Sequence, residues 1–176
     1  MNRFWKYVLL FGFFLISFLG RSEKAQAQDM DYKAYTLFLY NFMKYVEWPN
    51  TEGDFIIGVI GESPVKKELY ELAKNKKAKG RQIVVLNIAT ANDALLCSMI
   101  YIPTSKSSEL KVLSEKVKGK SVLIVAEREG LAKKGAGISF VIDEDDALKF
   151  DINKSVLDAH SLKVAAMLIR LAVIVG

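Results

Sequence analysis

The sequence has little of what enzymes and metalloproteins usually need. Cys97 is the only cysteine and His160 the only histidine in 176 residues. One cysteine excludes an internal disulfide framework and any site built from several thiolates, and one histidine excludes a metal centre that needs two imidazoles. Prolines number three, so few segments are stiffened or interrupted by them. Order, by contrast, is well supplied. At 51% hydrophobic and 11% aromatic residues, the chain is too apolar to remain unfolded.

The ends of the chain differ in kind. Arg3 and Lys6 precede the apolar run Tyr7 to Leu19, and the small-x-small pattern Ala25-Gln26-Ala27 follows. That order of charge, apolar run and small residues predicts a cleavable export signal over residues 1–27. The run is shorter than the roughly 20 residues a bilayer-spanning helix requires. Residues 28–176 are then expected to form a single domain. The leader holds Arg3, Lys6, Arg21 and Lys24 against Glu23, so its removal lowers the net charge from +5 to about +2. Nucleic acid is therefore not an expected partner, since the basic excess belongs mostly to the leader.

Residues Met30 to Glu47 are predicted to form a helix with a narrow polar stripe of Lys33, Thr36, Tyr40, Lys44 and Glu47. Its broad apolar arc, and Trp48-Pro49 as its stop, point to burial on more than one side or to a partner. Phe55 to Ile60, Gln82 to Ile88, Met99 to Ile102 and Ser121 to Ala126 read as strands. Helices are expected from Ser63-Pro64 to Asn75 and from Ser107 to Val117, with one helical turn over Asn92 to Leu96. Such alternation predicts a parallel sheet. Ile138 to Ile142 and Leu148 to Asn153 then form an antiparallel hairpin at the sheet edge. Lys154 to Val175 is predicted to be a final helix, apolar nearly all round beyond Lys163 and so buried or in a subunit interface. The expected fold is α/β: a three-layer sandwich with a mostly parallel central sheet, a C-terminal antiparallel hairpin and flanking helices.

Few segments offer chemistry. Gly119-Lys120-Ser121 precedes a strand instead of following one, and Ser114 stands where a phosphate-binding loop needs glycine. Gly58-Val59-Ile60-Gly61 reads first as a tight strand-to-helix turn. Asp143 to Asp146 lacks the ligand spacing of a calcium loop. Asp158 and Ser161 are too close to His160 in sequence to share its helix face, so no catalytic relay is assembled. No catalytic, metal-binding or cofactor-binding residue is assigned, and Cys97 is expected to be a buried thiol. The loop from Glu127 to Gly137 leaves the carboxyl end of a strand, where open α/β sheets bind ligands. Glu127, Arg128, Gly130, Gly135 and Gly137 are its candidate contact residues. Tyr35, Phe38, Phe42, Trp48, Met167 and Arg170, on the first and last helices, are the candidate interface.

Four blocks suggest a relationship. They are Lys33-Ala34-Tyr35 with Phe38 to Pro49, Phe55 to Gly61, Cys97 to Ile102, and Gly130-Leu131 with Gly135 to Ile138 through Lys149 to Asn153, followed by the Leu/Ala-rich terminal helix. In that order they resemble the YfiR/HmsC-like family of exported bacterial proteins. The resemblance implies a periplasmic, non-enzymatic regulator that tends to dimerise, with no cofactor. It implies a repressor or adaptor of an inner-membrane signalling protein, a diguanylate cyclase of the YfiN type, acting in cyclic-di-GMP signalling and biofilm control. An outer-membrane lipoprotein is implied as the competing partner. The alternative is a periplasmic small-ligand sensor partnering a histidine kinase. The lone Cys97 departs from relatives with several cysteines, and Ser98 stands where many relatives place His.

Overall fold

A computed structural model describes residues 32–176; the expected leader lies outside the described residues. Helix α1 covers residues 32–45. It gives way to strand β1 (Val46–Glu47), then β2 (Phe55–Ile60), α2 (Val65–Asn75), β3 (Lys77–Ala78), β4 (Arg81–Ile88), β5 (Met99–Ile102), α3 (Leu110–Lys116), β6 (Leu123–Ala126), β7 (Ile138–Ile142) and β8 (Leu148–Asn153). The chain closes with α4 (Lys154–Ala159), β9 (Lys163–Val164), α5 (Ala166–Leu171) and β10 (Val173–Val175). Single 3-10 segments span Asp93–Leu96 and Thr104–Glu109.

The main sheet runs β10-β8-β7-β6-β5-β2-β4-β3. Strands β4, β2, β5, β6 and β7 are mutually parallel, with β2 leading to β4 on one side and the chain returning to β5 on the other. The direction of winding therefore reverses between β2 and β5. The strands β5 and β6 are buried at every position, which explains their unbroken apolar sequences MIYI and LIVA. Their alternate side chains feed two cores. Met99 and Tyr101 face α1 and α2, together with Leu39, Phe42, Phe55, Phe140 and Phe150. Ile100 and Ile102 face α3, together with Leu110, Leu113 and Ile124. The sheet between two helical layers is the expected sandwich.

Three expectations are corrected. The helix predicted over Lys154 to Val175 is instead α4, β9, α5 and β10. It stops because Ser161 adopts a left-handed conformation (φ 57) and the Leu162 amide returns to the Leu157 carbonyl at 2.9 Å. That turn frees Lys163 and Val164 to pair antiparallel with Glu47 and Val46. The β-branched Val173, Ile174 and Val175 then prefer the sheet, where they lie parallel to Asp151, Ile152 and Asn153. The β7–β8 hairpin is accordingly not at the edge, since β10 lies outside it. Finally, Thr36 is not on the solvent stripe of α1: it is buried, while Leu37 is exposed.

Candidate functional site

The first helix packs through aromatic contacts. Phe42 lies 5.0 Å from Phe150 and 5.9 Å from Phe140 between ring centroids, and Phe38 lies 5.5 Å from Phe150. Tyr35 meets Phe140 edge-on at 4.7 Å. Phe42 and Trp48 are thus core residues of this chain. Their expected role at an interface is corrected, because their apolar surface is already covered. Tyr35 and Phe38 are half-buried by the same contacts.

A group of exposed apolar side chains lies at the other end of the chain, besides scattered ones such as Leu37, Leu96 and Val112. Met167, Leu171, Val173 and Ile174 are 46%, 61%, 56% and 45% exposed. They belong to α5 and to β10, the outermost strand of the sheet. Leu168 alone of the helix is fully buried, so α5 lies on the sheet through one narrow contact and turns its remaining face outward. Arg170 is exposed on the same helix. A cleft of about 180 Å³ adjoins this surface, between Lys154 and Asp158 of α4 and Ile169 and Ile174. An outer strand with an open hydrogen-bonding side beside exposed apolar residues is the arrangement that proteins use, or must protect, for contact with other chains.

The carboxyl edge of the parallel strands carries two further clefts. One, of about 350 Å³, lies between Gly61, Asn87, Thr90 and Lys106. Gly61 has φ 65, and a Cβ there would meet the Lys106 side chain at 2.7 Å, so the residues that follow β2 and β5 touch at the point where the winding reverses. Lys66 donates to Asn87 at 2.8 Å and to Glu62 at 3.0 Å beside it. The other cleft, of about 310 Å³, lies between Ser107, Ser108, Lys111, Arg128 and Lys134.

The loop Glu127 to Gly137 is more firmly held than its glycines suggest. The Glu127 carboxylate accepts from the Thr104 amide at 3.0 Å and from the Tyr32 hydroxyl at 3.3 Å. The Ala132 amide donates to Ser139 Oγ at 3.1 Å, and Asn153 Nδ2 donates to the Ala132 carbonyl at 2.8 Å. Gly130 and Gly135 have φ 76 and 113, conformations that disfavour other residues. Gly137 serves packing instead: a Cβ would meet Leu123 at 2.8 Å. Of the five expected loop contacts, Arg128 is the exposed side chain, Glu127 is bonded inward, and Gly137 is buried.

Two buried residues complete the interior. Tyr101 is fully buried; burial first, and the neighbouring Glu127 carboxylate next, push its pKa up. Its hydroxyl is near Glu127 but outside hydrogen-bonding geometry. Burial likewise raises the Cys97 thiol to about 12, with Asp93 adding to the rise, which makes it a poor nucleophile at neutral pH. His160 Nδ1 lies 2.6 Å from the Lys120 carbonyl, a bond that ties down the end of α4.

A family profile described as YfiR/HmsC-like matches residues 32–173, nearly all of the described chain. The chain belongs to the YfiR/HmsC-like family. Proteins of this family are periplasmic and regulatory rather than catalytic. No curated protein matches the chain. Among solved structures, the fold is similar to one titled as the ABC domain in complex with L-Trp from Streptococcus pneumonia. The TM-score is 0.55 at 14% identity, covering 77% of this chain and 59% of that one. The YfiR/HmsC-like chain thus spans little more than half of that structure's length, and the likeness is one of fold. No helix among the described residues is long and apolar enough to cross a membrane.

Sequence reasoning placed Met167 and Arg170 on this outward surface but missed Leu171, Val173 and Ile174. They lay inside a segment read as one buried helix. Ser107 and Lys111 were missed because an isolated hydroxyl or surface cation carries no spacing signal, and Lys134 was not singled out within the loop Glu127 to Gly137 for the same reason.

Proposed function

We propose that this YfiR/HmsC-like chain is a periplasmic repressor or adaptor that binds an inner-membrane signalling protein, a diguanylate cyclase, and so limits cyclic-di-GMP. Export follows from the leader over residues 1–27, with cleavage after Ala27 leaving residues 28–176 as the working domain. The observation that carries the reading is the uncovered apolar edge of α5 and β10 in a member of a regulatory family. Full burial of a large apolar side chain contributes about 1.5–3 kcal/mol, so four half-exposed ones supply a useful part of a binding energy. Repression then works by differential affinity: the chain binds the inactive conformation of the cyclase more tightly and shifts its population. An outer-membrane lipoprotein, or a second copy of this chain, competing for the same edge releases the enzyme.

The test is a deletion strain. Loss of the gene is expected to raise cyclic-di-GMP, the intact chain to restore it, and a chain carrying Leu171→Asp and Ile174→Asp to be exported and folded yet fail to restore it. An unchanged nucleotide level in the deletion strain would sink the proposal.

A second reading is favoured by the cleft between Gly61, Asn87 and Lys106, at the reversal point where open α/β sheets hold ligands. In it, the chain is a small-ligand sensor for a histidine kinase. The structurally similar protein titled with L-Trp makes amino acids the first ligands to try. A saturable rise in melting temperature with an amino acid, lost in Lys106→Ala, would favour this reading over the first.

A further inference from the structure

We propose that the groove above β5 and β6 binds phosphate groups. The groove, of about 310 Å³, is flanked by Lys111, Arg128 and Lys134 and by the hydroxyls of Ser107 and Ser108. Residues 107–111 follow β5 and residues 128–134 follow β6. These two strands are parallel, so both sets of side chains arrive at the carboxyl edge of the sheet.

The residues that line the groove include three cations and no carboxylate. Glu127 is held by the Thr104 amide and the Tyr32 hydroxyl. Glu109 lines the neighbouring cleft with Lys106. None of Lys111, Arg128 and Lys134 forms an ion pair among the described residues. With the leader removed, the net charge is only about +2, so three unpaired cations in one groove are a local feature and not the echo of a basic protein.

The groove is also preformed. Leu110 and Leu131 are buried beneath it. The Lys134 and Ala136 amides both return to the Leu131 carbonyl at 3.0 Å, which closes the loop so that Arg128 and Lys134 face the same space. Gly135 makes the turn with φ 113. Ser107 Oγ donates to the Thr104 carbonyl at 2.7 Å and keeps its oxygen, while the Ser108 hydroxyl has no partner among the described residues and is free to donate. A planar guanidinium forks onto two oxygens of one phosphate, and the two ammonium groups add compact charge. Three cations suit a phosphate dianion or diphosphate better than a single carboxylate. A soluble phosphate ester and a phospholipid headgroup present the same oxygens. This proposal is independent of the regulatory reading, since it uses none of the residues of α5 or β10.

The test uses the purified exported protein at about 0.1 M ionic strength, where distant charges are screened. Inorganic phosphate and pyrophosphate are titrated with melting temperature and amide chemical shifts as readouts. Phosphatidylcholine vesicles with and without phosphatidylglycerol are tested by co-sedimentation. A saturable response to the soluble anions supports a soluble ligand, and sedimentation only with phosphatidylglycerol supports a lipid headgroup. In either case the K111Q/R128Q/K134Q variant is expected to melt as the parent does without ligand and to bind at least tenfold more weakly. R128Q alone, expected to bind several-fold more weakly, carries the test if the triple variant does not fold. The proposal is overturned if neither anion nor vesicle binds, if chloride at equal ionic strength gives the same response, or if the variants bind as the parent does.

Discussion

The indole Nε1 of Trp48 donates to the main-chain carbonyl of Ser98 at 2.9 Å. This bond ties the end of the first helical segment to the start of β5, and the same ring meets Phe55 edge-on at 4.9 Å. The Ser98 carbonyl also accepts from the Leu123 amide at 3.0 Å, so losing the indole does not leave it unpaired. Trp48→Phe is therefore expected to cost about 0.5–1.5 kcal/mol, the net worth of one hydrogen bond. Trp48→Ala, which also opens a cavity, is expected to cost about 3–5 kcal/mol. Urea denaturation distinguishes the two; equal losses would mean that the ring's volume adds nothing beyond the hydrogen bond.

Gly58 sits against Cys97 and Ile88, and a Cβ there would come within 2.6 Å of Cys97 Sγ and Ile88 Cδ1. Gly58→Ala is expected to destabilise the fold by about 1–3 kcal/mol through overpacking. Adding Cys97→Ala makes room on one side, so the double variant is expected to lose less than the two single losses combined. Strict additivity of the two would rule out the contact as the cause.

Cys97 also sets the alkaline behaviour. Its folded pKa, about 12, lies above the ordinary thiol value of 9.0 because the thiolate is disfavoured by burial. A raised folded pKa gives a contribution that is fully present below pH 9 and is lost as the pH climbs toward 12, since only the unfolded chain ionises in that window. Buried Tyr101, also shifted upward, acts in the same direction from about pH 10. Stability is expected to fall above pH 9, with a shallower fall in Cys97→Ala. A thiol reagent at pH 8 is expected to label Cys97 only as fast as the chain unfolds. Rapid labelling of the native protein would contradict the burial.

Asn153 holds the C-terminal edge together. Its Oδ1 accepts from the Val156 amide at 3.0 Å and so caps α4, while its Nδ2 donates to the buried Ala132 carbonyl at 2.8 Å. Asn153→Ala removes both and is expected to cost about 2–4 kcal/mol. Because Asn153 pairs with Val175 in the sheet, the loss is expected to appear first as faster amide exchange in β10. Uniform loss of protection across the whole sheet would argue against a local role.

The parallel half of the fold was legible because period and punctuation agree there. FIIGVI, MIYI and LIVA are short β-branched runs bounded by Gly61, Pro103 and Glu127, and nothing competes with a buried-strand reading. Ser63 illustrates the same agreement: its hydroxyl accepts from the Val65 amide at 3.3 Å, as its place before Pro64 suggests. The C-terminal segment misled because its turn is made by Ser161 in a left-handed conformation. Glycine or asparagine at that position announces such a turn, whereas serine does not. Once the segment was read as one helix, Leu171 and Ile174 could only be called buried or interfacial. Thr36 failed for a related reason: the helical period groups it with Lys33 and Tyr40, but the sheet, not the period, decides which flank of α1 is covered.

The central claim is that the edge formed by α5 and β10 docks on an inner-membrane signalling protein. The most direct measurement replaces Leu171, and separately Tyr70 on α2, with a photo-crosslinking amino acid in living cells; both side chains are exposed, but Tyr70 lies away from that edge. A crosslink from position 171 to an inner-membrane diguanylate cyclase, with none from position 70, is the predicted result. No adduct from position 171, or the same adducts from both positions, would contradict the account.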